Sequence, residues 1–110
     1  MEVTRIEGYT KGWFIGNFEP SIFRTNLFEV GTKLHLKGEI WDCHYHTGTE
    51  INYLVSGRMK IHGFELQTGD VFRIEAYEVA DPIFLEDCVV ITIKVPSTPG
   101  DKYLAERPTK

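Results

Sequence analysis

Short runs of β-branched and aromatic residues recur along the chain, roughly one every ten positions, and Gly, Asp or Pro separates each run from the next. No stretch repeats its apolar positions with the 3.6-residue period of an amphipathic helix. The pattern predicts nine strands, at residues 12–15, 26–36, 39–45, 50–56, 57–61, 64–67, 71–74, 83–85 and 89–95. An all-β domain with this many short strands is typically a sandwich or a barrel.

The turns between predicted strands fall at residues that suit them. His62-Gly63 lies between two short strands and can supply the positive φ values of a two-residue hairpin turn. Pro96, Pro99 and Gly100 end the last predicted strand, and the largely polar tail at 101–110 is expected to be a short docked helix or a partly disordered end.

Length and composition fit one domain. The chain has 110 residues, 42% of them hydrophobic and 25% charged, which is enough for one core but not for two. We expect a barrel core at about 26–95, preceded by an aromatic segment at 1–25 and followed by a tail at 96–110. The aromatic residues of the first segment suit either core packing or contact with a second subunit.

Charge and apolar content exclude several classes of partner. The net charge is −4 and the 12 basic residues are scattered, so a nucleic-acid-binding surface is not expected. The longest apolar run, at 89–93, is far shorter than the roughly 20 residues of a membrane-spanning helix. Without a recognisable leader the expected location is the cytoplasm, where Cys43 and Cys88 would be free thiols rather than a disulfide.

One cluster of side chains is suited to metal chemistry. His44 and His46 are two apart on a predicted strand and therefore face the same side. A short turn follows them, and Glu50 opens the next strand as a third donor. Two histidines and one carboxylate can bind Fe(II), Mn(II), Ni(II) or Zn(II) and leave coordination positions open.

Two glycines frame this cluster, so that residues 38–57 read G-x5-H-x-H-x3-E-x6-G without a gap. In this respect the chain resembles the cupin superfamily, whose first motif has this form. The resemblance implies a conical β-barrel of six to eight strands, also described as a double-stranded β-helix or jelly roll. It further implies a divalent metal on His44, His46 and Glu50, and a homodimer.

The second cupin motif, G-x5-P-x-G-x2-H-x3-N, is only partly present. It begins correctly at Gly69, but Glu75 and Tyr77 replace the usual Pro and Gly, and Ala80 stands where the fourth ligand, a histidine, is usual. Asp81 is the nearest oxygen donor and would face outward unless a bulge re-aimed it. The site is therefore expected to have three protein ligands, and the alternative is a hydrogen-bonded polar cluster without metal.

Several other polar residues are candidate ligand contacts. Alternation from Glu50 places Asn52 on the inward face of its strand, and Arg58 and Lys60 are candidates for binding an anionic ligand near the barrel mouth. His62 falls in a predicted turn, and His35 lies on a separate strand, where it would be packed or solvated unless it faced inward.

Three functions remain open at this point. The first is a metal-binding cupin that binds or transforms a small polar molecule, a carbohydrate or an organic acid. The second is a ligand-binding or regulatory cupin without metal, so the sequence alone does not decide whether the chain is an enzyme. A purely structural role as an assembly subunit is a third possibility.

Overall fold

Buried and exposed side chains alternate along the longer strands, because successive residues of a strand point to opposite faces of the sheet. The computed structural model describes residues 1–105, and positions 106–110 of the predicted tail lie outside the described residues. Two short 3-10 turns, Ile6–Gly8 and Thr10–Gly12, precede ten strands. These are β1 (Trp13–Ile15), β2 (Glu29–His35), β3 (His44–Tyr45), β4 (Thr49–Ser56), β5 (Arg58–Ile61), β6 (Phe64–Gln67), β7 (Val71–Ile74), β8 (Ile83–Phe84), β9 (Cys88–Val95) and β10 (Tyr103–Leu104).

The strands form three antiparallel groups. The largest is a five-stranded sheet in the order β1-β2-β9-β4-β7, and the others are a three-stranded sheet, β6-β5-β8, and the pair β10-β3. The sequence-based prediction of an all-β domain is confirmed. No helix within residues 1–105 is long and apolar enough to cross a membrane.

The turns confirm the backbone chemistry expected from the sequence. His62 and Gly63 have φ values of 51° and 79° and connect β5 to β6, as predicted for a two-residue hairpin. Gly57 has a φ of 105°, and a Cβ at this position would lie 2.4 Å from the carbonyl oxygen of Asp87. Only glycine fits there without displacing the backbone.

Two predictions about secondary structure were wrong. Most of the predicted strand at 39–45 is irregular, because the Glu39 carboxylate accepts hydrogen bonds from the side chains of His35 and Trp41 and only residues 44–45 pair as a strand. The helix considered for the tail at 101–110 is absent from its described part, residues 101–105, where Tyr103–Leu104 forms β10 and pairs with β3. This short strand ties the end of the described chain to the histidine motif.

The apolar core closes one end of the barrel. It contains Leu54, Met59, Phe84, Cys88 and Val90, contributed by the two larger sheets. Cys43 and Cys88 are both free, as predicted, and both are buried. The inward positions toward the other end are polar, so the barrel has a dry end and a polar end.

Replacing Leu54 with Ala tests this division. Leu54 is completely buried in the core, and its truncation leaves a cavity that the surrounding strands cannot close. We expect Leu54→Ala to lower the free energy of unfolding by about 3 kcal/mol in urea titrations. Leu34→Ala is the matched control, because Leu34 is exposed and should change stability by less than about 0.5 kcal/mol.

Candidate metal centre

A cavity of about 440 Å³ occupies the polar end of the barrel. One wall of the cavity is formed by β2, β9 and β4. The register of these strands places Glu29, Lys94 and Glu50 side by side in one cross-strand row. The next inward row contains Gly31, Thr92 and Asn52. All the polar side chains of these two rows line the cavity.

His44 and His46 enter the cavity from β3 and the turn that follows it. The Nδ1 of His44 lies 3.1 Å from the backbone carbonyl of Asp42, and the Nδ1 of His46 contacts the carbonyl of Asp101. A carbonyl can only accept, so each Nδ1 carries the proton and the Nε2 of a neutral ring carries the lone pair. Metal-binding histidines commonly have their second nitrogen held in this way. Burial also lowers the pKa of His44, which favours its neutral form.

Glu50 lies against His46. Its Oε2 is 3.1 Å from the Nε2 of His46, but this buried oxygen has no hydrogen-bond partner with acceptable geometry. Burial alone would raise the pKa of Glu50, but His46, the Asn52 amide and Lys94 together lower it below its ordinary value. The cavity therefore contains an ionised carboxylate oxygen beside an imidazole nitrogen.

The third predicted ligand is less closely placed. The His44 and His46 rings are 5.1 Å apart between centroids and inclined at 74°. Within the described part of the chain, no three His, Cys, Asp or Glu side chains gather about one point as a metal-binding group. The structure thus brings His46 and Glu50 into contact and places His44 next to them in the same cavity.

Ala80 occupies the position expected from the second motif. Its backbone exchanges two hydrogen bonds with His44, of 3.2 and 2.8 Å, and its buried side chain lines the cavity. Asp81 does not line this cavity. The methyl group of Ala80 therefore lies where the second motif would usually supply a fourth ligand.

Asp101 is a site residue that sequence reasoning missed. It is 2% exposed, and its carboxylate accepts hydrogen bonds from the backbone N–H and hydroxyl of Thr47 and the backbone N–H of Gly48, at 2.9, 2.7 and 3.2 Å. Its backbone carbonyl accepts from His46 and, at 3.1 Å, from the Nζ of Lys94. One tail residue therefore fixes both the turn after His46 and the orientation of its ring.

Three carboxylates and the Lys94 ammonium group lie together in the cavity wall. Glu29, Glu50 and Asp101 are all close to Lys94, which lies between the two glutamates in the cross-strand row and 3.9 Å from Asp101. Burial raises the pKa of Glu29, and the nearby Asp101 raises it further, although Lys94 and hydrogen bonds oppose both effects. With these four groups ionised their net charge is −2, and Lys33 and Lys102, which also line the cavity near Glu50, offset part of it.

The three candidate ligand contacts have different positions. Asn52 lines the cavity, and the Thr92 hydroxyl donates to its Oδ1 at 2.8 Å, which leaves the buried Nδ2 without a partner. Arg58 and Lys60 do not line the cavity, because the alternation of β5 turns Met59 and Ile61 inward instead. Arg58 pairs with Glu65 and Glu86 on the surface.

The remaining histidines are engaged elsewhere. His35 reaches the cavity wall, but its ring stacks on Phe84 at 4.3 Å and its Nδ1 is 2.8 Å from Glu39. His62 is partly exposed and lies 3.1 Å from Glu78. Neither histidine is directed at the His46–Glu50 contact.

Solved structures share this fold, although no family model and no curated protein matches the sequence. An uncharacterized protein with a double-stranded beta-helix domain from Klebsiella pneumoniae is 20% identical with a TM-score of 0.69, covering 96% of this chain and 92% of that one. An RmlC-like cupin from Ralstonia eutropha is 20% identical with a TM-score of 0.60, covering 74% and 58%. The DMSP lyase DddQ from Ruegeria pomeroyi is 14% identical with a TM-score of 0.70, covering 84% of this chain.

This chain spans 49% of that lyase, so only about half of the larger protein has a counterpart here. At identities of 20% or less, these likenesses establish the fold and leave the reaction open. They agree with the all-β architecture of this chain. The chain is a small protein with the cupin fold.

Proposed function

We propose that the cavity holds a divalent transition metal ion, Fe, Mn, Ni or Zn, on His44, His46 and Glu50, and binds a small polar molecule beside it. The observation that carries this proposal is the state of the three donors. Both imidazoles have Nδ1 bound to a backbone carbonyl, and the buried Glu50 Oε2 has no hydrogen bond. Nitrogen lone pairs beside an unsatisfied carboxylate oxygen are the donor chemistry that such ions take.

The surrounding residues have separate roles in this proposal. Asp101 and Asp42 orient the two imidazoles through their carbonyl groups, and Lys94 offsets part of the negative charge near Glu50. The free Nδ2 of Asn52 donates to an oxygen of the bound molecule. Apolar side chains such as Phe72 exclude water from the inner wall. When bound, the ion supplies a Lewis acid that polarises an oxygen of the ligand.

A metal-free ligand-binding protein is the second candidate. The observation that favours it is that no three donors of residues 1–105 already gather about one point. In that case His46 and Glu50 form a charged hydrogen-bonding pair, and Asn52 contacts the ligand directly. Homodimerisation and a cytoplasmic location stay predictions under either function.

Metal uptake separates the two candidates. The untagged chain would be stripped with a chelator, titrated with Mn(II), Fe(II), Ni(II) and Zn(II), and its bound metal measured by elemental analysis. We expect about one ion per chain, and a loss of at least about 100-fold in affinity in the His44→Ala, His46→Ala double variant. His62→Ala is the matched control because His62 lies outside the cavity. Absence of saturable uptake by the unmodified chain would leave the metal-free candidate.

A further inference from the structure

Three lysines also line the cavity. Lys33 lies on β2, Lys11 precedes β1, and Lys102 follows Asp101 in the tail. The Nζ of Lys33 donates to the backbone carbonyl of Lys11 at 2.6 Å and lies 4.2 Å from the centre of the Trp13 ring. The Nζ of Lys102 lies 4.3 Å from the centre of the Trp41 ring. Two indoles thus hold two ammonium groups at the cavity wall.

These ammonium groups lack acidic partners. None of the ion pairs within residues 1–105 involves Lys11, Lys33 or Lys102. Burial and repulsion from Lys11 and Lys102 lower the pKa of Lys33 to about 8, although Glu29 and Glu50 oppose the shift. The pKa of Lys102 is also lowered, first by burial and then by Lys11. Like charges are therefore gathered here, in a protein whose net charge is −4.

The cavity wall thus carries charges of both signs. Three carboxylates lie around Lys94, and three ammonium groups and two indole rings also line the wall. Ammonium groups without acidic partners attract an anion. The negative charge of the anion offsets both their mutual repulsion and the free-energy cost of burying them in the charged form. A ligand with an oxyanion at one end and neutral oxygens at the other would match both the ammonium groups and the polar groups around Lys94.

We infer that Lys11, Lys33 and Lys102 form an oxyanion subsite that takes the carboxylate or phosphate of the small polar molecule bound in the cavity. This inference rests on the proposed function for the cavity ligand but not on the metal. The sequence-based candidates for anion binding, Arg58 and Lys60, lie on the outer face of β5 and cannot serve this subsite. Lys102 belongs to the subsite only because the tail docks on β3.

Matched probes test the inference. Glucose, glucuronate and glucose 6-phosphate differ only at C6, and succinate and succinamide form a second pair with and without charge. Each would be titrated at constant ionic strength into chelator-treated protein. Any binding of the probe is then due to the side chains of the protein and not to a bound metal ion. We expect the charged probes to bind at least about tenfold more tightly than their neutral counterparts. Comparison of the two glucose derivatives shows whether carboxylate or phosphate is preferred.

Variants assign the effect to the subsite. Lys33→Met and Lys102→Met should each remove most of the preference for charged probes, whereas Lys60→Met, an exposed lysine outside the cavity, should leave it unchanged. The preference should also fall as the pH rises through about 8, because Lys33 loses its proton there. Lys11, Glu29, Glu50 and Lys102 are the other charged groups that face Lys33.

Three results would overturn the inference: charged and neutral probes that bind alike, failure of every probe to bind, or a preference that survives in the Lys33→Met, Lys102→Met double variant. Metal uptake measured on the same samples keeps the proposed centre separate. A chain that takes up metal but shows no preference for charged probes would retain the proposed metal centre and lose the subsite. A chain that prefers charged probes without taking up metal would retain the subsite and lose the proposed metal centre.

Discussion

Replacement of Asp101 by Ala is expected to lower the free energy of unfolding by about 3 kcal/mol. The buried carboxylate accepts three hydrogen bonds from Thr47 and Gly48 and lies 3.9 Å from the buried Lys94 ammonium. Its removal leaves these donors unsatisfied and Lys94 without its nearest carboxylate. Asp101→Asn should have a smaller effect, because the amide oxygen can still accept from Thr47 while the charge is lost. Urea titrations of the three proteins measure the differences.

Asp42→Ala is the matched control for this experiment. Asp42 also provides a backbone carbonyl to a histidine of the motif, but its side chain is exposed, so its truncation should change stability by less than about 0.5 kcal/mol. The Asp101→Ala variant should also bind metal about tenfold more weakly, because the turn that follows His46 is no longer fixed. Equal stabilities for Asp101→Ala and Asp42→Ala would contradict the positioning role of the tail.

Replacement of Ala80 by His is expected to strengthen metal binding by at least about tenfold, since it adds a fourth donor to the proposed three. Ala80 pairs directly with His44 across the strands, and its side chain already faces the cavity. Titration of chelator-treated protein with Zn(II) and Mn(II) measures the gain.

Ala80→Leu is the control for bulk. Ala80 packs near Ile61 and Ile74, so any larger side chain will disturb this wall, but only His adds a nitrogen ligand. The gain should also shrink when Ala80→His is combined with His44→Ala. Similar metal affinities for Ala80→His and Ala80→Leu would mean that this position does not face a metal site.

The fold was predictable because its signals are local. Alternation along β4 and β9 and the turn at His62-Gly63 are visible in short stretches of sequence, and each predicted strand except the one at 39–45 has a counterpart with similar bounds. The irregular segment before His44 was not predictable from propensity. Hydrogen bonds from His35 and Trp41 to Glu39 hold that segment away from regular strand pairing.

The candidate site was only partly predictable for a related reason. His44, His46 and Glu50 lie within seven residues of one another, so that strand geometry alone places them on one face. Asp101 contacts Thr47 across 54 positions, and Lys102 reaches the cavity only through the pairing of β10 with β3. Tyr103–Leu104 is too short to be detected as a strand, and these contacts depend on it.

Anomalous X-ray diffraction from crystals of the Mn- or Zn-loaded chain tests the proposed metal centre most directly. We expect one strong anomalous peak within the cavity, within coordination distance of Glu50 and of both His44 and His46. A peak confined to surface groups such as the His62–Glu78 pair, or no peak in crystals of protein that has been exposed to saturating metal, would contradict it.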